Sequence, residues 1–234
     1  MPQTISWRKV GRYNEPEIYK DRKEAAEFLA QKLEEKLGGQ LERGNTVILA
    51  IPRGGVVTGD VVAERLGVAM DVLVSRKVGS PFNPELAIGA VMHDGSFLPN
   101  EDIIRMICVP ESYIEEQIAI RMKEIERRLL KFRGSRDYNL EGRLVILVDD
   151  GIATGATVFA AIRWLREQNV KKLVVAVPVG PRDAISRLQA AADEVVVLQA
   201  PMFFGAVGEF YQDFSQVTDE QAVEILKKYA KRGS

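Results

Sequence analysis

The sequence predicts an α/β protein with a mostly parallel sheet, helices on both faces and an edge hairpin. Three observations lead there. The stretches Thr46–Ile51, Val145–Val148, Lys172–Pro178 and Glu194–Leu198 are short and dominated by branched apolar residues, as strands buried on both faces are. Helical patterns lie between them, which parallel crossovers require. Glycine-bearing loops directly follow the first two strands, at the edge where open α/β sheets bind ligands.

Taken in order, Asp21 with Glu24 three residues later forms a capping box for a helix running to about Leu37. Thr46–Ile51 is then a strand, Arg53, Gly54 and Gly55 a loop, and about Val57 to Leu66 a helix. A further strand ends at Arg76 and Lys77. Val78–Glu85, punctuated by Gly79, Pro81 and Pro84, reads as a mobile loop, followed by a hairpin of Leu86–Met92 and Ser96–Leu98 closed by Asp94-Gly95. The chain from about 99 to 142 is a helical insertion, longer than a minimal core of this type requires. In it Ile114, Ile118, Met122, Ile125, Leu129 and Phe132 recur at helical spacing. Arg121, Lys123, Arg127, Arg128, Lys131, Arg133 and Arg136 face only Glu124 and Glu126 in that stretch. They form a solvated face, or they steer a polyanion toward the site or reach a neighbouring subunit's ligand.

Val145–Val148 is the next strand and Thr154–Gln168 the helix after it. Lys172–Pro178 and Glu194–Leu198 add two more strands, with Pro181 opening a helix to about Ala192. Phe203, Phe204, Phe210, Tyr211 and Phe214 crowd one short span, suited to core packing or to base stacking. Asp219 and Glu220 introduce a final helix near Gln221–Tyr229.

Composition sets bounds on function. At 234 residues the chain is long enough for one sizeable core, or for one domain with a sub-domain, and 46% hydrophobic with 28% charged content argues against disorder. A formal charge of −1 gives no basic field for nucleic acid. Cys108 is the single cysteine and His93 the single histidine, so no disulfide and no two-His or multi-Cys metal cluster is expected. His93, beside the hairpin turn, is expected to be exposed. Trp7, Arg8 and Lys9 lie where a signal peptide would need its apolar core, and no apolar run is long enough to span a membrane. A cytoplasmic location without a membrane or nucleic-acid role is the expectation.

The chemistry concentrates in VILVDDGIATGAT, residues 145–157. Asp149 and Asp150 stand at the carboxyl end of a buried strand. Gly151, Ala153, Gly155 and Ala156 keep the following loop free of bulk, so that backbone N–H groups and the Thr154 and Thr157 hydroxyls can converge on an anion at a helix N-terminus. The two carboxylates suit ribose hydroxyls, or a magnesium ion with its waters. An ordinary strand, turn and capped helix would leave these acids without a purpose that repays burying them.

VDDGIATGAT resembles the phosphoribosyl pyrophosphate (PRPP) motif of the type I phosphoribosyltransferases. The resemblance implies that Asp149 and Asp150 hold the ribose 2′ and 3′ hydroxyls and that Gly151, Ile152, Ala153, Thr154, Gly155, Ala156 and Thr157 wrap the 5′-phosphate. TVILAIPRGGVVTG is similar to the loop that binds pyrophosphate in that family, often through a strained peptide bond, and this implies Arg53, Gly54 and Gly55 for that role. Arg76 and Lys77 match the family's basic pair ahead of a flexible loop, which here is short. YKDRKEAAEFLAQKL extends the likeness, toward an uncharacterised branch of the family.

The implied protein is a single domain over 1–234, with a small hood from terminal segments, mainly 200–234. It would transfer a phosphoribosyl group from PRPP to a small-molecule acceptor, a nucleobase or related heterocycle, with release of pyrophosphate. Asp149, Asp150, Arg76 and Lys77 would be catalytic. Mg2+ would be held by PRPP and water rather than directly by protein, near Asp149 and Asp150, and a homodimer is the family expectation. Enzymes acting on 6-oxopurines usually carry an acid in the loop where this chain has Gly151, Ile152 and Ala153, which is closer to the adenine or uracil pattern; the acceptor is left open. The alternative is a PRPP-binding regulator that catalyses nothing.

Overall fold

A computed structural model of the chain describes residues 17–230; Trp7, Arg8 and Lys9 lie outside the described residues. Five strands, β1 (Thr46–Ala50), β2 (Ala69–Val72), β6 (Leu144–Val148), β7 (Lys172–Val179) and β8 (Glu194–Gln199), form a parallel sheet in the order β2-β1-β6-β7-β8. Ala50 stands level with Val72 on one side and Val148 on the other, and Val148 with Ala176, so the carboxyl ends of the central strands make one edge. Alternation along the strands feeds two cores. Ile48, Ala50, Ile146 and Val148 pack with α1 (Arg22–Leu37), α2 (Gly54–Leu66) and α7 (Asp219–Ala230), whereas Val47, Leu49, Val145 and Leu147 pack with α5 (Ala156–Glu167) and α6 (Arg182–Ala191).

The capping box at the start of α1 is formed in a variant way. Asp21 Oδ1 accepts from the N–H groups of Lys23 and Glu24, and Glu24 Oε2 accepts from the N–H of Lys20. Among the helix bounds, α2 differs most from expectation: Gly54 and Gly55 form its first turn instead of a preceding loop.

Arg76 and Lys77 also differ in place. They open a strand, β3 (Ser75–Gly79), rather than closing one. The chain leaves the parallel sheet just after Leu73, whose N–H donates to Ala50 O at 3.0 Å, and then pairs antiparallel with β4 (Ala87–Met92). The predicted hairpin of β4 and β5 (Phe97–Pro99), with Gly95 at φ 88°, completes this second, three-stranded sheet β3-β4-β5. Over it lies the insertion, a short α3 (Glu101–Met106) and the long α4 (Glu111–Phe132), whose Ile125, Leu129 and Phe132 enter the core.

The basic insertion is not a plain solvated face, because carboxylates distant in sequence meet it. Arg133 holds Asp71 through Nε at 2.8 and 2.9 Å, and Lys131 reaches Glu220 at 2.8 Å. His93 is likewise not exposed. Its ring lies 4.6 Å from that of Tyr138 and 4.5 Å from that of Trp164, and burial lowers its pKa from 6.5 to about 4. No helix among the described residues is long and apolar enough to cross a membrane.

Candidate functional site

The loops after β1 and β6 are each tied to the next strand at the sheet edge: Ile51 N–H donates to Val148 O at the end of β6 at 2.9 Å, and Ile152 N–H to Val179 O at the end of β7 at 2.9 Å. Two sequence motifs far apart in the chain thereby touch. A Cβ on Gly54 would overlap the Asp150 carboxylate, and one on Gly55 would lie 2.9 Å from Asp149 Oδ1. Glycine at both places is therefore a packing requirement of the acidic pair, and it brings the first turn of α2 against it. The Pro52–Arg53 peptide bond leading into this turn is cis.

The two acids differ in environment. Asp149 accepts from the N–H of Asp150 at 2.8 Å, while burial, followed by the charge of Asp150, raises its pKa well above the carboxylate range. Asp150 has a cation of its own. Arg22 Nε donates to its Oδ2 at 2.6 Å, with the two side chains only 11% and 14% exposed. The same guanidinium donates to Ser215 O at 2.8 Å and lies over the Phe214 ring. Tyr211 O–H donates to Asp150 O at 2.5 Å, and burial raises that phenol's pKa. Sequence reasoning does not single out Arg22 or Ser215, and it reads Tyr211 only as one of the tail aromatics. One signal is there: an arginine in the first turn of a helix opposes the macrodipole, so it calls for an acidic partner elsewhere.

From Gly151 to Thr157 the chain turns into α5 through Gly155 at φ 77°, which acts as N-cap without a side-chain hydrogen bond. Phe159 N–H is the first to bond back, to Gly155 O. The N–H groups of Ala153 to Thr157 and the hydroxyls of Thr154 and Thr157 make no hydrogen bond among the described residues, and they follow the acidic pair directly in the chain. The arrangement suits an anion flanked by hydroxyl donors.

The basic residues divide. Arg53 Nη1 stands 3.6 Å from Asp219, and Arg76 Nε stands 3.3 Å from Glu124 on α4. Burial, then the nearby Arg128 charge, lowers the Arg76 pKa to about 10. Successive strand side chains leave opposite faces, and Lys77 turns instead to Glu85 at 3.1 Å. Lys77 lines a cavity of about 400 Å³ with Gly79, Pro84, Tyr113, Gln117 and Arg121. Of the tail aromatics, Phe210 and Tyr211 are buried and Phe203 is exposed.

Known proteins are similar to this chain in sequence and in fold. A crystal structure of the protein TT1426 from Thermus thermophilus is similar at a TM-score of 0.75 and 41% identity, over 91% of this chain and 99% of that one. Proteins of two Mycobacterium tuberculosis strains, both bearing a phosphoribosyl transferase name, are 42% identical over 212 residues. That match takes in 90% of this chain and 47% of theirs, so the chain spans about half the length of these relatives. A ribose-phosphate pyrophosphokinase of Thermococcus kodakarensis is 29% identical over 135 residues, 56% of this chain and 46% of that protein. The phosphoribosyl transferase domain model matches residues 16–214, which include both loops of the site, the acidic pair and Arg22, and the chain belongs to that family.

Proposed function

We propose that the protein is a phosphoribosyltransferase that takes PRPP and passes its phosphoribosyl group to a ring nitrogen of a small acceptor, releasing pyrophosphate. The observation that carries this reading is the meeting of Gly54 and Gly55 with Asp149 and Asp150 beside an unfilled set of backbone N–H donors. One sheet edge thus offers a place for a phosphate, for a diol and for a second anionic group.

In this reading Asp149 and Asp150 accept from the ribose 2′ and 3′ hydroxyls, and Arg22 fixes the Asp150 carboxylate and balances its charge. Gly151 to Thr157 take the 5′-phosphate on N–H groups and the two threonine hydroxyls. The acceptor nitrogen's lone pair forms the new bond at C1 while the C1–O bond breaks and its electron pair leaves on pyrophosphate; the ring N–H proton passes to solvent. The transition state has oxocarbenium character, as in glycosyl transfer generally. Arg53 and Arg76 stabilise the charge that develops on the leaving oxygen. Lys77 leaves the opposite face of β3 and is bonded to Glu85, so this reading assigns the leaving group to Arg53 and Arg76.

The site fits a magnesium ion in a limited way. Asp149 is a carboxylate without a salt bridge of its own, yet no group of three or more acidic, histidine or cysteine side chains among the described residues would hold a metal outright. Asp149 and Asp150 would therefore hold the ion through its waters, and it would supply positive charge to pyrophosphate oxygens. Calorimetric titration with PRPP and magnesium, followed by a pyrophosphate-release assay against purine and pyrimidine bases, tests the proposal. Binding with base-dependent release supports it. Binding without release for any acceptor favours a PRPP-sensing regulator, and absence of binding overturns both.

A further inference from the structure

Arg53, Arg76, Arg128 and Lys131 come from the loop after β1, from β3 and from α4, and the first turn of α7 reaches three of them. Asp219 Oδ1 lies 3.6 Å from Arg53 Nη1 and 3.8 Å from Arg128 Nη2, while Oδ2 lies 3.5 Å from Lys131 Nζ. These separations are ion-pair distances, longer than the roughly 2.8 Å of a charge-assisted hydrogen bond. Two carboxylate oxygens are serving three cations, none of them closer than 3.5 Å; Lys131 has Glu220 at 2.8 Å besides, whereas Arg53 and Arg128 have no closer carboxylate among the described residues.

The fit is incomplete in a second respect. The side chains of Asp219 and Arg128 are 13% and 12% exposed, yet Asp219 Oδ1, Arg128 Nε and Arg76 Nε are all buried without a hydrogen-bond partner. Glu124 is shared between Arg121 at 2.8 Å and Arg76 at 3.3 Å, so it does not complete the arrangement either. A group with more oxygens and more charge than a carboxylate would satisfy these donors, and a pyrophosphoryl group has both.

We propose that Arg128 of the insertion helix is a further pyrophosphate-binding residue beside Arg53 and Arg76, and that Asp219 is a displaceable counter-ion filling their cluster when no ligand is bound. The inference rests on the proposed function and extends it: the insertion supplies part of the pyrophosphate subsite, and α7 competes for it. Thr218 and Gln221 cap α7 reciprocally, which places Asp219 in its first turn, where the helix dipole also favours the negative charge. Ligand binding exchanges this carboxylate for phosphate oxygens on the same guanidinium groups.

The test is calorimetric titration of the full chain with inorganic pyrophosphate, ribose 5-phosphate and PRPP as separate probes. Arg128→Gln is expected to weaken pyrophosphate and PRPP about tenfold while ribose 5-phosphate is unchanged, and Arg128→Lys to recover part of the loss. Asp219→Asn is expected to tighten pyrophosphate several-fold, again without effect on ribose 5-phosphate. Lys123→Gln, an exposed cation on the same helix, should alter none of the three. Pyrophosphate affinity that is unmoved by Arg128→Gln, or a parallel loss of ribose 5-phosphate, overturns the role of Arg128. Weaker pyrophosphate binding by Asp219→Asn overturns the counter-ion role. Wild-type protein that binds PRPP and ribose 5-phosphate but not pyrophosphate overturns this inference alone; protein that binds none of the three overturns the proposed function with it.

Discussion

Arg22 and Asp150, 128 residues apart, are joined by a hydrogen-bonded ion pair of 2.6 Å, so an N-terminal helix supplies the cation for one of the two site carboxylates. With both side chains nearly enclosed, removing the cation leaves a desolvated charge next to a second one. Arg22→Gln is expected to cost about 3 kcal/mol of stability. Urea denaturation at neutral pH measures it, and a loss below about 1 kcal/mol, the range of an exposed pair, would refute the assignment.

Gly54→Ala gives an opposed pair of effects whose sizes decide the outcome. That exchange gains about 1 kcal/mol in a helix interior and less at Gly54, the first residue of α2. Here the new methyl overlaps the Asp150 carboxylate and pushes it off Arg22. The expected net result is destabilisation with loss of PRPP binding; a more stable variant that still binds PRPP would contradict the close approach.

Asp149 works against folding. Its pKa is raised in the folded chain, so above that value folding bears the cost of keeping it charged, and the cost is relieved as pH falls through it. Asp149→Asn keeps an oxygen for the Asp150 N–H and removes the charge. It should stabilise the ligand-free protein at pH 7 and abolish sugar-phosphate binding. Thermal melts with and without PRPP read both effects, and a melting point at or below wild type would oppose the account.

His93 sets a dependence of the opposite sign. Its folded pKa of about 4 lies below the ordinary 6.5, so between these values the unfolded chain binds more protons. The stabilisation is complete above pH 6.5 and is lost as pH falls toward 4. Allowing for the solvent that reaches the ring, the loss is about 2 kcal/mol. Denaturation series at pH 7, 5.5 and 4.5 should show the fall, and His93→Gln should flatten it; an equal slope in both proteins would assign the effect to other groups.

Local chemistry makes much of this molecule legible in sequence. The apolar runs at Val145–Val148 and Thr46–Ile51 mark strands buried on both faces, and the small residues from Gly151 to Ala156 mark a loop that a bulky side chain would close. Partnerships are not legible, because they depend on which distant segment folds over which. Nothing near Asp150 names Arg22, and nothing in the basic stretch around Arg128 names Asp219. His93 escapes sequence reasoning for the same reason: its neighbours in sequence form an exposed turn, whereas Tyr138 and Trp164 enclose it only in three dimensions. Arg76 and Lys77 read as a strand's end because the break at Leu73-Val74 is as apolar as the strands around it.

The Arg22 guanidinium ties the Asp150 side chain to the carbonyl of Ser215, 193 residues further along than Arg22 itself. During synthesis from the first residue onward, the acidic pair therefore emerges long before the segment that covers it. A ribosome-bound chain extending only through α6 has the parallel sheet's first four strands and both glycine-bearing loops, but lacks Tyr211, Ser215 and Asp219. Contacts of such long sequence separation form late, and the pocket is among the last features the growing polypeptide acquires.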